Sequence, residues 1–206
     1  MAKKLRHKPV LLATNGTADP ILKALARHRL MTYVELTKVG ASGTKLRRMA
    51  DAGLLVPVGS GIYASASLDP FVAAVLATAK YYPQAVISGL TALQIHGFGQ
   101  EYIEKIDVDV SRDTSIRNKM LKVHRVPEAR LAGIIKLKYE GGTIRVYDPE
   151  RTLCEAYRLD PSGPLFFKAL KRYIALDKVD PDRIQKYDQA AKTHVLAHLR
   201  QELADG

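Results

Sequence analysis

The sequence predicts an α+β fold, and two observations carry that prediction. Between Lys105 and Tyr147 the pattern turns from helical spacing to strand-like stretches, clearest in Lys105–Val110, where apolar residues recur at every second position. Positive charge is also uneven. Residues 1–67 carry eleven lysines and arginines against Asp19, Glu35 and Asp51, a net +8 out of +11 for the whole chain. A basic segment that also differs in pattern from its surroundings is expected to be a separate unit. The expected division is a basic arm over 1–16, one domain over 17–67 and a second over 68–206.

The first domain begins with a helix capped by Thr17 or Asp19, with Pro20 in its first turn and Ile21, Leu22, Leu25 and Ala26 on one side. Arg27, His28 and Arg29 fall at its C-terminal end, where cations favour the helix dipole. Thr32 followed three residues later by Glu35 is a capping box, so a second helix starts there, with Val34, Leu36 and Val39 as its apolar side. Gly40 breaks it, and Ser42 or Thr44 opens a third helix through about Ala52, closed by Gly53. Leu54–Val58 and Ile62–Ala64 flank Gly59-Ser60-Gly61, a loop suited to a hairpin. Helix, turn, basic helix and hairpin form the layout of a winged helix-turn-helix, whose second helix enters the major groove of DNA. An αα-hairpin with a solvated cationic face is the alternative. The concentration of charge favours nucleic acid. Residues 1–16 would then be an arm reaching along DNA, or a disordered terminus.

After the small-residue stretch Ser65–Pro70, an almost wholly apolar helix is expected over Phe71–Tyr82, stopped by Pro83. Ser88 can cap a helix through about His96, ended by Gly97. Ile106, Val108 and Val110 alternate with charged residues, which predicts a half-buried strand with Asp107 and Asp109 on its solvent side. Met120–Val126 is a second strand, and Ile134–Tyr139 with Thr143–Tyr147 make a hairpin around Glu140-Gly141-Gly142. Asp148-Pro149 opens a helix through about Arg158. Helices over Phe166–Leu176 and roughly Asp180–Leu203 complete a small antiparallel sheet with C-terminal helices.

Composition excludes several classes. At 47% apolar and 26% charged residues the chain is globular. Its one cysteine, Cys154, cannot form an internal disulfide or a thiolate zinc cage, which suits a reducing compartment. The longest apolar run, Phe71–Ala79, falls well short of the roughly 20 residues that cross a bilayer. Val10–Ala13 is too short for a signal-peptide core. A cytoplasmic protein without membrane contact is expected.

Few constellations suggest catalysis. Asp107 and Asp109 with Ser88-Gly89 upstream resemble the paired strand carboxylates and Gly-Ser turn with which nucleotidyltransferases hold Mg²⁺ and a triphosphate. Here the dipeptide is reversed, and Asp107 lies eighteen positions after Gly89. His194 and His198 are four apart but lack a neighbouring Glu and a third ligand, and read as exposed helix histidines. His96 reads as a cap or satisfied core residue and Cys154 as core. No catalytic residue, metal or cofactor is assigned, and the expectation is a protein that is not an enzyme.

Several stretches together carry a resemblance: Gly61-Ile62-Tyr63-Ala64 at the end of the hairpin, Ala85–Gly97 (AVISGLTALQIHG), the strand Ile106–Val110, and Tyr147–Ala156 (YDPERTLCEA). Over about residues 15–160 the chain resembles the AbiEi antitoxins of bacterial type IV toxin–antitoxin (abortive infection) systems. The resemblance implies a repressor that binds inverted repeats in its own promoter. It also implies a second domain that antagonises a nucleotidyltransferase-like toxin without a stable complex, in a monomer or weak dimer that can bind DNA cooperatively. The alternatives are a nucleotidyltransferase-related enzyme using Asp107 and Asp109, and a solitary regulator with no toxin partner. For the DNA-binding reading, Lys45, Arg47 and Arg48 with Ser42 and Thr44 are expected in the groove, because helix N-terminal groups suit phosphate and Arg can read guanine bidentately. Lys38 and Ser60 are expected to hold the backbone.

Overall fold

The structure, a computed structural model, describes residues 19–176 and 178–205. The basic arm expected over 1–16 and the alternative cap Thr17 lie outside the described residues. The chain is mixed α and β and divides between Ala77 and Thr78 into two compact units. Among the described residues no helix is long and apolar enough to cross a membrane.

In the first unit, α1 (Pro20–His28) starts at Asp19, whose carboxylate accepts from the Ile21 N–H at 2.8 Å. Ile21 and Leu25 point into the core, and the helix stops at Arg29, which has a positive φ of 62°. Leu30–Thr32 then forms a strand, β1, which the sequence pattern does not show. Thr32 also caps α2 (Tyr33–Thr37) through the expected box: the Thr32 N–H donates to Glu35 Oε2 at 2.6 Å, and the Glu35 N–H donates to Thr32 Oγ1 at 3.2 Å. Leu36 is buried, but Val34, expected on the apolar side, is 65% exposed. In a five-residue helix one inward position leaves its neighbours outside. After Gly40, α3 (Gly43–Asp51) begins at Ser42, whose Oγ accepts from the Lys45 N–H at 3.3 Å. β2 (Leu55–Pro57) and β3 (Ile62–Ser65) complete an antiparallel sheet in the order β1-β3-β2. Ile21, Leu25, Met31, Leu36, Leu46, Met49 and Leu55 form one cluster beneath these elements. Helix α4 (Pro70–Tyr81) follows and is buried continuously from Ala73 to Thr78.

The sheet of the second unit is mixed, where a small antiparallel sheet was expected. Its order is β6-β5-β4-β8-β7, with β4 at Val86–Ile87, β5 at Ile106–Ser111, β6 at Leu121–Val126, β7 at Ile134–Tyr139 and β8 at Gly142–Tyr147. β4 pairs antiparallel with β5 and parallel with β8, and β5 runs parallel to β6. Alternation identifies the faces of a strand but not its partners, so these pairings are not visible in the pattern. The β7–β8 hairpin closes through Glu140 and Gly141, both at positive φ, with Tyr139 opposite Gly142.

Helices α5 (Gly89–Ile95), α6 (Pro149–Leu159), α7 (Pro164–Ile174), α8 (Pro181–Ala191) and α9 (Val195–Asp205) supply the helical side. Leu93, Phe98, Leu153, Cys154, Phe166 and Leu170 belong to its buried cluster. The single terminal helix expected from Asp180 to Leu203 is two. Lys192 adopts the left-handed conformation, and the Asp188 carboxylate accepts from the Thr193 hydroxyl and from the N–H groups of Val195 (3.2 Å) and Leu196 (2.8 Å). His194 therefore precedes α9 and is exposed. His198 is not simply exposed: it packs among Tyr157, Phe166 and Phe167, with ring centroids 5.3–5.8 Å apart.

Sheet and helices meet at Asp148. One carboxylate oxygen accepts from the Arg151 N–H at 2.7 Å, capping α6, and the other accepts from the Tyr187 hydroxyl of α8 at 2.6 Å. The Gly133 carbonyl accepts from the Asp148 N–H at 2.7 Å; Gly133 has φ +80°, and a Cβ there would fall 2.6 Å from the Tyr187 hydroxyl oxygen. Only glycine lets the backbone come that close. Asp148→Ala removes a cap and strands a buried hydroxyl, so it is expected to cost about 2–4 kcal/mol. Tyr187→Phe, which leaves the cap in place, should cost about 1–2 kcal/mol. Urea unfolding of the two variants checks the ranking.

Candidate nucleic-acid interface and an internal polar cleft

The expected DNA-contacting residues lie on α3, the turn before it and the β2–β3 turn. Leu46 and Met49 anchor α3 in the core, and this leaves Ser42, Thr44, Arg47 and Arg48 exposed. Neither Arg47 nor Arg48 has an ion pair among the described residues. Lys45 differs from them. Its ammonium pairs with Asp19 at 2.8 Å, fastening α3 to the N-terminus of α1. Burial pushes the Asp19 carboxyl upward, but hydrogen bonds from Lys45 and the Ile21 N–H, with the ammonium charge, hold it below its ordinary value. Lys45 is thus already engaged within the fold. Lys38 is exposed at the end of α2. Ser60 is exposed in the β2–β3 turn, where Gly59, Ser60 and Gly61 all have positive φ. The Gly61 carbonyl accepts from the Tyr33 N–H at 2.6 Å, so this turn is tied to the start of α2.

The second unit holds a cleft around two aspartates that were expected on the solvent side of a strand. Asp107 and Asp109 are 5% and 8% exposed, not on a solvent face. The start of α5 packs against β5 at Asp107, and the Tyr147 hydroxyl reaches Asp109, so the polar face of the strand is covered as well as its apolar one. Both carboxylates line a cavity of about 490 Å³ together with Ser88, Gly89, Lys122 and His124. Asp107 Oδ1 lies 3.0 Å from His124 Nε2 and 3.6 Å from Lys122 Nζ. Asp109 Oδ2 accepts from the Tyr147 hydroxyl at 2.8 Å. Ser88 stands at the start of α5 but makes no side-chain cap, and its buried Oγ has no hydrogen-bond partner among the described residues. Gly89, at φ +52°, lets the turn approach Asp107: a Cβ there would sit 3.1 Å from the Asp107 carboxyl carbon.

Around the cleft the Tyr147–Ala156 stretch forms a buried polar network. Arg151 lies over the Tyr147 ring at 5.0 Å and pairs with Glu155, which also pairs with Arg158 at 3.0 Å. Glu155 and Arg158 reach the cavity wall. His96 Nε2 donates to the Tyr147 carbonyl at 2.8 Å, and burial holds its pKa below the ordinary histidine value. Burial pushes the Cys154 thiol up to about 12, which keeps it inert.

No protein-family model matches the chain, and no curated protein matches it in sequence. Among solved structures it is similar to the RV2827C protein from Mycobacterium tuberculosis, with a TM-score of 0.57 and 17% identity, over 82% of this chain and 70% of that one. The likeness is one of fold.

Glu150 gives the network a pH signature. Burial raises its pKa above 4.5, against hydrogen bonds from its own N–H and the Tyr173 hydroxyl, and the nearby Asp148 charge adds to the rise. The folded state then holds the proton more tightly than the unfolded one. This contribution is full below pH 4.5, shrinks as pH rises and is gone above the raised folded value. In Glu150→Gln that part of the slope of stability against pH is expected to vanish, as urea titrations from acidic to neutral pH can measure.

Proposed function

We propose that the first unit is a winged helix-turn-helix and that the chain is a sequence-specific transcriptional repressor of the AbiEi antitoxin type. In this reading α3 enters the major groove of inverted repeats in the protein's own promoter. The observation that carries the proposal is the outer face of α3. Arg47 and Arg48 project from a helix whose opposite side is locked by Leu46 and Met49, and no acidic partner neutralises them among the described residues. Two adjacent guanidiniums on a rigid helix suit bidentate reading of guanine and contact with phosphate. Ser42 and Thr44 at the helix start, with Lys38 and Ser60 nearby in sequence order, would hold the sugar–phosphate backbone. The order helix, strand, two helices and hairpin, and the net +8 of residues 1–67, support the same reading.

The second unit would then carry the antagonism of a nucleotidyltransferase-like toxin, exerted without a stable complex. The protein would act as a monomer or weak dimer, cooperatively on paired repeats. Support for this part is the sequence resemblance.

Replacing Arg47 and Arg48 together by Ala is expected to weaken binding to the upstream duplex by about a hundredfold, at roughly 1–3 kcal/mol per base contact. Stability should change by no more than about 0.5 kcal/mol, since both side chains are exposed. Lys45→Ala should weaken binding much less, because Asp19 already engages its ammonium. Gel-shift titration beside urea unfolding checks all three. Unchanged affinity in the double variant would overturn the assignment of α3.

A further inference from the structure

We propose that the cleft of the second unit binds a nucleoside triphosphate through a divalent cation. This is independent of the DNA-binding reading. Asp107 and Asp109 lie on one side of β5, two residues apart, so their carboxylates open toward the same space. Asp107 Oδ1 already meets His124 and Lys122, and Asp109 Oδ2 the Tyr147 hydroxyl, so a divalent cation would join the two carboxylates through their other oxygens. Among the described residues no group of three His, Cys, Asp or Glu side chains can hold a metal alone. Mg²⁺ is a cation that accepts such a site, taking one or two carboxylates and completing its shell with phosphate oxygens of a ligand.

Ser88 supplies the second, independent sign of a ligand. It is 2% exposed, its hydroxyl has no partner among the described residues, and it lines the same cavity as the two aspartates. A buried hydroxyl left without a partner costs about 1–3 kcal/mol, which a phosphate oxygen in the cleft would relieve. Lys122, Arg130 and Arg158 lie around the same cavity and would offset the charge of the phosphates.

The neighbouring space identifies the rest of the ligand. A further cavity of about 430 Å³ shares Leu90, Asp107 and Lys122 with the first and is lined by Tyr102. Tyr102 is 88% exposed, so the face of its ring is open to stacking by a base. A base on Tyr102 with its phosphates at Ser88 and Asp107 would span the two cavities, and each is within the size range of small-molecule sites.

Equilibrium dialysis of the full chain against radiolabelled ATP, GTP, CTP and UTP, with Mg²⁺ or with EDTA, tests the proposal. At least one nucleotide is expected to bind with Mg²⁺ and to be released by EDTA. Asp107→Asn should abolish binding. Tyr102→Ala should weaken it by about tenfold or more, since stacking a base on an aromatic ring contributes roughly 1–3 kcal/mol. Tyr102 is too exposed for its loss to unfold the chain, and circular dichroism controls for the fold of Asp107→Asn. Binding of none of the four, or equal binding in EDTA, would overturn the proposal. Inorganic triphosphate binding as tightly as the nucleotide, with Tyr102→Ala unaffected, would overturn the nucleotide assignment.

Discussion

The second unit depends on what happens at two consecutive residues, Tyr147 and Asp148, where the last strand becomes a helix. The Tyr147 hydroxyl donates inward to Asp109 on the sheet, and its carbonyl accepts from His96. Asp148 caps α6 and accepts from Tyr187 on α8. A buried carboxylate is tolerated only when its oxygens are satisfied, and each of these partners comes from a different element. Satisfying one group therefore fixes the position of several elements at once. Glu150 extends the arrangement only in part: Tyr173 donates to one oxygen, while the other has no hydrogen bond among the described residues and lies 3.6 Å from Arg183 of α8. The cost of this design is a row of desolvated acids, and the Asp107–Asp109 cleft lies at its edge.

The first unit is built on the opposite principle. Among the described residues its core is a small apolar cluster with no buried charge, and polar groups are used at the ends of helices: Asp19, Thr32 and Ser42 each satisfy a helix start. A short helix such as α2 gains little from its own hydrogen bonds and stands because its box and Leu36 hold it. This economy leaves the outer face of α3 unconstrained by folding. Arg47 and Arg48 can be chosen there for a partner, while Lys45, one turn earlier, is used for the fold.

Much of this was legible in the sequence, and the misses have physical causes. The starts at Thr32, Ser42 and Asp148 could be read because a cap needs a particular side chain at a particular spacing. The Glu140-Gly141 turn was visible because its backbone conformation favours glycine. β1 and β4 were not visible, since strands of two or three residues have no period to detect. The break between α8 and α9 was hidden because Lys192, and not glycine, takes the left-handed position, and the apolar spacing continues in phase across it. Asp107 and Asp109 were placed on a solvent face because alternation says which residues share a side and nothing of what covers that side. For the same reason the two carboxylates, Ser88 and Tyr102 could not be brought together from spacing alone. The pairing of Lys45 with Asp19 joins residues 26 positions apart in sequence and left no local signal.

The central claim is that α3 reads a particular DNA sequence. The most direct measurement is fluorescence anisotropy of the full chain with its own upstream duplex and with a scrambled duplex of equal length, at low and at physiological salt. The account predicts tight binding to the upstream duplex that persists at physiological salt, with the scrambled duplex weaker by about a thousandfold or more, as base-specific contacts require. Equal binding to both, lost together as salt rises, would contradict it and reduce the basic unit to a surface for counterion release.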